Sequence, residues 1–88
     1  MGNSVGINNL GYCYENGIGT DANKQKAFES YQKAANLGDC YAQYNIAKIY
    51  ESGDGIKKDM NQAVYWYKKS AEQYDYAQYK LNELLKKF

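Results

Sequence analysis

The chain has 88 residues, a mass of 10.1 kDa and a formal charge of +1, room for one small domain and no strong field. Hydrophobic residues at 44% and charged residues at 24% argue against disorder; the weak charge draws in neither nucleic acid nor an anionic membrane, and without arginine the usual fork for phosphate or guanine is missing. Histidine is absent, which removes His-based triads, the common zinc sites and the commonest acid–base catalyst together.

Apolar spacings of three and four predict five helices in chain order. The first covers about 4–15 and leads into Asn16-Gly17-Ile18-Gly19. The second, about 23–36, carries Ala27, Phe28, Tyr31, Ala34 and Ala35 on one face, with Asp21 or Asn23 as its cap. The third, about 40–51, carries Ala42, Ile46, Ile49 and Tyr50 and ends at Ser52-Gly53-Asp54-Gly55. Asp59 caps the fourth, about 59–72, whose stripe is Ala63, Val64, Tyr67 and Ala71, and the fifth runs over about 76–87. Gly17 and Gly53 stand where a helix ends in the left-handed conformation that a side chain penalises. No apolar run reaches the roughly 18 residues that cross a bilayer, and no signal-peptide pattern opens the chain.

Displacing the chain by 36 residues superposes Asn9 on Asn45, Tyr14 on Tyr50, Glu15 on Glu51, Gly17 on Gly53, Gly19 on Gly55, Ala27 on Ala63 and Tyr31 on Tyr67. Tyr76-Ala77-Gln78-Tyr79 then repeats Tyr41-Ala42-Gln43-Tyr44 after 35 residues, because the seam at Gln73-Tyr74 lacks the glycine found at Gly38. The implied organisation is a first repeat over about 3–38, a second over about 39–74 and a capping helix over about 75–88. One helix pair cannot bury its own stripe, so the pairs must stack into an all-α, α-α superhelix, a short solenoid. Gly2-Asn3 matches the seam at Gly38-Asp39, which leads us to expect a fragment or a minimal array.

The pattern resembles the Sel-one-like repeat, a relative of the tetratricopeptide repeat with a longer turn between its helices. The second copy supplies Ala42, Ile46-Ala47, Tyr50, Gly53-Asp54-Gly55-Ile56, Asp59, Ala63, Trp66-Tyr67 and Ser70-Ala71. The first supplies Gly6, Leu10-Gly11, Tyr14, Gly17-Ile18-Gly19, Lys26-Ala27, Tyr31 and Ala34-Ala35; the third has Ala77 and Leu81. Departures are Ala47 for the close-packing glycine, Gln62 for lysine, Thr20 for an aliphatic residue and Asn82 for the third copy's small residue. The resemblance implies a right-handed solenoid acting as scaffold or adaptor in signalling or protein quality control, at times joined to a kinase. It also makes Tyr14, Tyr31, Tyr50 and Tyr67 packing residues and sets Trp66 between neighbouring repeats.

Cys13 and Cys40 follow neither a C-x-x-C spacing nor the 36-residue period, so we read them as reduced thiols in a cytoplasmic protein, without metal. The Asp54–Asp59 turn misses the EF-hand spacing, Gly17-Ile18-Gly19 lacks the ending of a phosphate loop, and Met1–Gly6 fails the myristoylation pattern. Glu15, Glu51 and Tyr12 have acid–base chemistry, but their spacing gives no apolar pocket or paired partner, so neither enzyme nor cofactor is expected. Tyrosine occurs 11 times, more than a core of this size needs. In related stacks one side of the first, third and fifth helices lines a groove. The match places Val5, Asn8, Tyr12 and Glu15 there, with Tyr41, Tyr44, Lys48 and Glu51, and with Tyr76, Tyr79, Glu83 and Lys86. Asn8, Tyr12, Tyr41, Tyr44, Lys48, Tyr76 and Tyr79 are therefore the candidate partner-binding residues, since tyrosine offers rigid area and a hydroxyl at low entropic cost. Asn45 has a clamp-like place, but Tyr79 and Glu83 stand where cations for a C-terminal carboxylate belong. The expected partner is a protein or peptide with aromatic or aliphatic anchors, bound by a monomer or weakly self-associating chain, with no nucleic acid and no membrane. The alternative is a structural spacer or self-association segment of a larger protein.

Overall fold

Asn23, Asp39 and Asp59 each turn a side-chain oxygen onto free N–H groups at a helix start, and these caps divide the chain. In the computed structural model, which describes residues 3–87, the helices are α1 (Asn3–Asn16), α2 (Lys24–Asn36), α3 (Cys40–Ser52), α4 (Met60–Ala71) and α5 (Asp75–Leu85). The seam residue Gly2 and the terminal Phe88 lie outside the described residues. Of the two candidate caps for α2, Asn23 performs the role, accepting from the Lys26 N–H at 3.0 Å. Asp39, not foreseen as a cap, accepts from Tyr41 N–H at 2.9 Å and Ala42 N–H at 3.1 Å. Among the described residues there is no strand, and no helix is long and apolar enough to cross a membrane.

Each helix packs on the next in sequence, α1 on α2, α2 on α3, α3 on α4 and α4 on α5. Two apolar clusters result. One joins Ala27, Tyr31, Ala34 and Ala35 of α2 to Ala42, Ile46 and Ile49 of α3; the other joins Ala47, Ala63 and Tyr67 to Leu81 and Leu84 of α5. Trp66 packs against both clusters, so it does sit between the repeats. The alanines are the reason the helices come so close: small side chains at Ala34, Ala42 and Ala63 leave only backbone separation to fill. Two buried side chains tie neighbouring helices through backbone oxygens, Gln43 donating to Ala35 O at 3.2 Å and Ser70 to Cys40 O at 2.6 Å. Tyr31 and Tyr67 are fully buried, whereas Tyr14 and Tyr50, expected in the core, sit half-buried at its rim.

Gly11 and Gly53 illustrate two ways in which the geometry requires glycine, and Gly17 shares the left-handed conformation of Gly53. A Cβ on Gly11 would lie 2.8 Å from the Tyr31 ring and 3.2 Å from Ala27 O, so the close approach of α1 to α2 at this point depends on the missing side chain. Gly53 ends α3 at φ +73°, and its Cβ would lie 3.0 Å from Lys58 Cβ. Gly53→Val is therefore expected to destabilise the chain by about 2 kcal/mol, read as a lower urea midpoint at unchanged slope. A silent substitution would contradict the left-handed helix end.

Candidate functional site

Both repeats place a glutamate at the end of their first helix and a tyrosine deep in their second. The Tyr31 hydroxyl donates to Glu15 Oε1 at 2.7 Å, and the Tyr67 hydroxyl to Glu51 Oε1 at 2.8 Å. Burial, followed by the hydrogen bond and the glutamate charge, raises both phenols well above their ordinary value of 10. Each carboxylate thus accepts a charge-assisted bond that anchors a ring with almost no exposed surface. This role of Glu15 and Glu51 was missed from the sequence. The signal was present: the same 16-residue Glu-to-Tyr separation occurs in both copies.

Above Tyr67 the rings continue toward solvent. Tyr44 meets Tyr67 at a centroid distance of 5.7 Å, Tyr74 at 5.5 Å and Tyr76 at 5.6 Å. Tyr41 meets Tyr74 edge-on at 4.8 Å, and Tyr76 stacks on Tyr79 at 5.8 Å with 26° between the planes. Lys48 places its ammonium 5.5 Å from the centre of the Tyr44 ring. Tyr41, Tyr76 and Tyr79 remain about half exposed, at 55%, 48% and 55%. Tyr44, a candidate partner-binding residue, is half-buried against the second core cluster, and burial together with its tyrosine neighbours and Glu51 pushes its hydroxyl up to about 12. Tyr74 was not among the candidates, yet it connects Tyr41 to Tyr44 and Tyr76. It stands at the start of α5, where the shorter seam puts a tyrosine in the place that Asp39 has before α3; no side chain caps α5.

Five of the seven candidate residues are thereby brought together: Tyr41, Tyr44, Lys48, Tyr76 and Tyr79. Asn8 is joined to α3 by the hydrogen bond it accepts from Asn45 Nδ2 at 3.1 Å, which also occupies the clamp-like asparagine. Tyr12 is exposed on α1 and lies outside the ring cluster. A cleft of about 370 Å³ brings together Glu15 of α1, Lys48, Ile49, Glu51 and Ser52 of α3, Asp54 after it and Lys80 of α5. Lys80 is the α5 residue lining this cleft, in place of the expected Glu83 and Lys86, and Lys87 reaches Glu51 Oε2 at 3.9 Å. The arrangement joins an aromatic cluster to charged side chains, with Lys48 common to both. It offers contact area, hydroxyl groups and fixed charges, and among the described residues no group of three metal-ligating side chains.

Comparison with known proteins places this geometry among its kin. The model of the Sel1 repeat matches residues 4–39 and again 40–75. Over 58 residues, 65% of the chain, the sequence is 43% identical to the ERAD-associated E3 ubiquitin-protein ligase component HRD3B of Arabidopsis thaliana. Over 47 residues, 53% of the chain, it is 43% identical to chitin synthase regulatory factor 3 of Schizosaccharomyces pombe. The chain spans only 10% and 5% of these relatives. Among solved structures, a Sel1 repeat protein from Oxalobacter formigenes superposes with a TM-score of 0.90 at 42% identity, covering 93% of this chain and 34% of that one. A protective antigen of uropathogenic Escherichia coli strains, displaying an SLR fold, superposes at 0.91 with 39% identity, covering 99% of this chain and 19% of its own.

Proposed function

The chain belongs to the Sel1 repeat family, and on that footing we propose that it is a non-catalytic interaction module that captures a peptide or partner domain on its tyrosine face. The observation that carries the reading is the set of touching rings at Tyr41, Tyr44, Tyr74, Tyr76 and Tyr79, three of them half exposed on one side of the stack. A contiguous aromatic patch of this kind, rimmed by lysines and carboxylates, is what a binding surface needs at its centre and edge. Rings held by one another lose little freedom on binding, so more of the contact energy remains for the partner. The names of the relatives, a ligase component and a synthase regulatory factor, describe accessory roles beside another protein and agree with an adaptor.

The test is a random-peptide display selection on the wild-type chain, with binding then measured on Tyr41→Ala/Tyr79→Ala. These two rings are exposed, whereas Tyr44 supports the core, so the double variant separates binding from folding. We expect peptides rich in aromatic or aliphatic anchors that lose about tenfold or more in affinity on the variant, with a thermal midpoint close to wild type. Peptides that bind both proteins equally would place the capture surface elsewhere, and a selection that enriches nothing would favour the spacer reading.

A further inference from the structure

The two repeats close their inner turns in the same way and then fill them differently. The Asn23 N–H donates to Tyr14 O at 2.8 Å, and the Asp59 N–H donates to Tyr50 O at 2.9 Å. Inside those closures Thr20-Asp21-Ala22 of the first copy corresponds to Ile56-Lys57-Lys58 of the second. A polar, acidic turn is thus replaced by an aliphatic side chain and two ammonium groups. In the second copy the turn borders a cleft of about 380 Å³, lined by Phe28 of α2, Tyr50 of α3 and Ile56, Lys57, Lys58 and Asp59. Phe28 meets the Tyr50 ring edge-on at 5.5 Å and 88°, and both pack with Ile56 on the first core cluster, so the apolar lining is held from below. The turn itself is held against α2. Lys24 pairs with Asp54 at 3.1 Å, and a Cβ on Gly55 would lie 2.5 Å from Lys24 Cβ.

The charges of this cleft are not balanced. Asp59 turns its carboxylate to the start of α4, where it accepts from the Gln62 N–H at 3.1 Å. Among the described residues the ion pairs are Lys24–Asp54 and Lys87–Glu51, so neither Lys57 nor Lys58 is neutralised by a carboxylate there. An apolar lining beside two free ammonium groups fits a large apolar side chain that carries carboxylates next to it. The cleft is open to solvent, so it covers one side of such a group and lets a chain run on in both directions; a small molecule, which needs most of its surface enclosed, would be held poorly. We propose that this cleft is a second binding site, for an acidic peptide segment that seats one aromatic or aliphatic anchor on Phe28, Tyr50 and Ile56 and pairs its flanking carboxylates with Lys57 and Lys58. The site shares no residue with the tyrosine cluster or with the charged cleft beside it, and it does not depend on the tyrosine-face reading.

The probe is an acetylated and amidated hexapeptide, Gly-Ser-Asp-Phe-Asp-Gly, titrated to millimolar concentration into the 88-residue chain with backbone amide shifts as the readout. Saturable shifts are expected at Phe28 and over Ile56–Asp59. The same peptide with both aspartates replaced by asparagine should bind about fivefold more weakly, as two exposed ion pairs are worth little more. Lys57 and Lys58 are exposed, so Lys57→Gln/Lys58→Gln should melt as the wild type does while losing the preference for the acidic peptide. Binding to Tyr41→Ala/Tyr79→Ala should be unchanged. Four results would each overturn the proposal: no saturable shift, equal binding of the two peptides to the wild type, a preference that survives the lysine substitutions, or shifts centred on Tyr41, Tyr76 and Tyr79. Phenylpropionate that binds as tightly as the acidic peptide would assign the cleft to a free aryl carboxylate and overturn it as well.

Discussion

Tyr67→Ala is expected to leave the chain largely unfolded at 37 °C. The ring is fully buried between Ala47, Ala63, Leu81 and Leu84, and Tyr44 leans on it from the solvent side. Removing it opens a cavity that helices cannot close without breaking the Ser70–Cys40 and Tyr44 contacts beside it, at a cost of about 3–5 kcal/mol. At the low end of the usual range, a domain of this length has about 4–8 kcal/mol of net stability, so the loss consumes most of it. Glu51 would also lose the donor it accepts from at 2.8 Å. Far-ultraviolet dichroism against temperature checks the outcome: a melting midpoint within a few degrees of wild type would mean that the second cluster contributes little to the fold.

The second large effect is alkaline unfolding. Tyr31 and Tyr67 have folded values raised well above the ordinary 10 by burial, the glutamate hydrogen bond and its charge. A phenol raised in this way contributes its full stability below pH 10, and that contribution falls as pH climbs from 10 toward the folded value, because the unfolded chain releases the proton first. As the pH climbs past 10 the two rings together give up a large part of the chain's net stability, enough to unfold it. Helicity followed at constant ionic strength should collapse between about pH 10.5 and 12. Tyr31→Phe/Tyr67→Phe keeps the rings without the titrating group, so it should begin less stable at neutral pH yet hold its helices to higher pH. Helicity that stays flat to pH 12 in the wild type would show that the buried phenols are not coupled to folding.

The helices were legible because each signal was local: apolar spacing, a glycine at a helix end, and a carboxylate or amide ahead of the next helix. Gly53, Asn23 and Asp59 carry these signals within a few residues of the turns they make. The internal period then supplied the stacking, since a residue such as Trp66 has no purpose on an isolated pair. The tyrosine face was legible in part. Tyr41, Tyr44, Tyr76 and Tyr79 follow from helical spacing and meet as expected, but Tyr12 does not join them and Tyr74 does. Tyr74 lies in the seam, where a one-residue difference decides which side a ring takes, and no periodicity extends across such a break. Lys80 lines the cleft of the glutamates and Lys87, rather than Lys86, pairs with Glu51 for the same reason. The Glu–Tyr bonds depend on two helices meeting, so they are visible in the sequence only as a spacing shared by both copies.

Every helix touches mainly its neighbours in sequence, and that order governs how the chain reaches its native state. Few distant segments must find one another, so little loop-closure entropy opposes the first contacts and assembly should be fast for its size. Folding can nucleate in either hairpin and propagate along the stack, and helices with a neighbour on one side only are the ones expected to fray first. A partner that spans α1, α3 and α5 would clamp these ends together and convert a gradient of local opening into one cooperative unit.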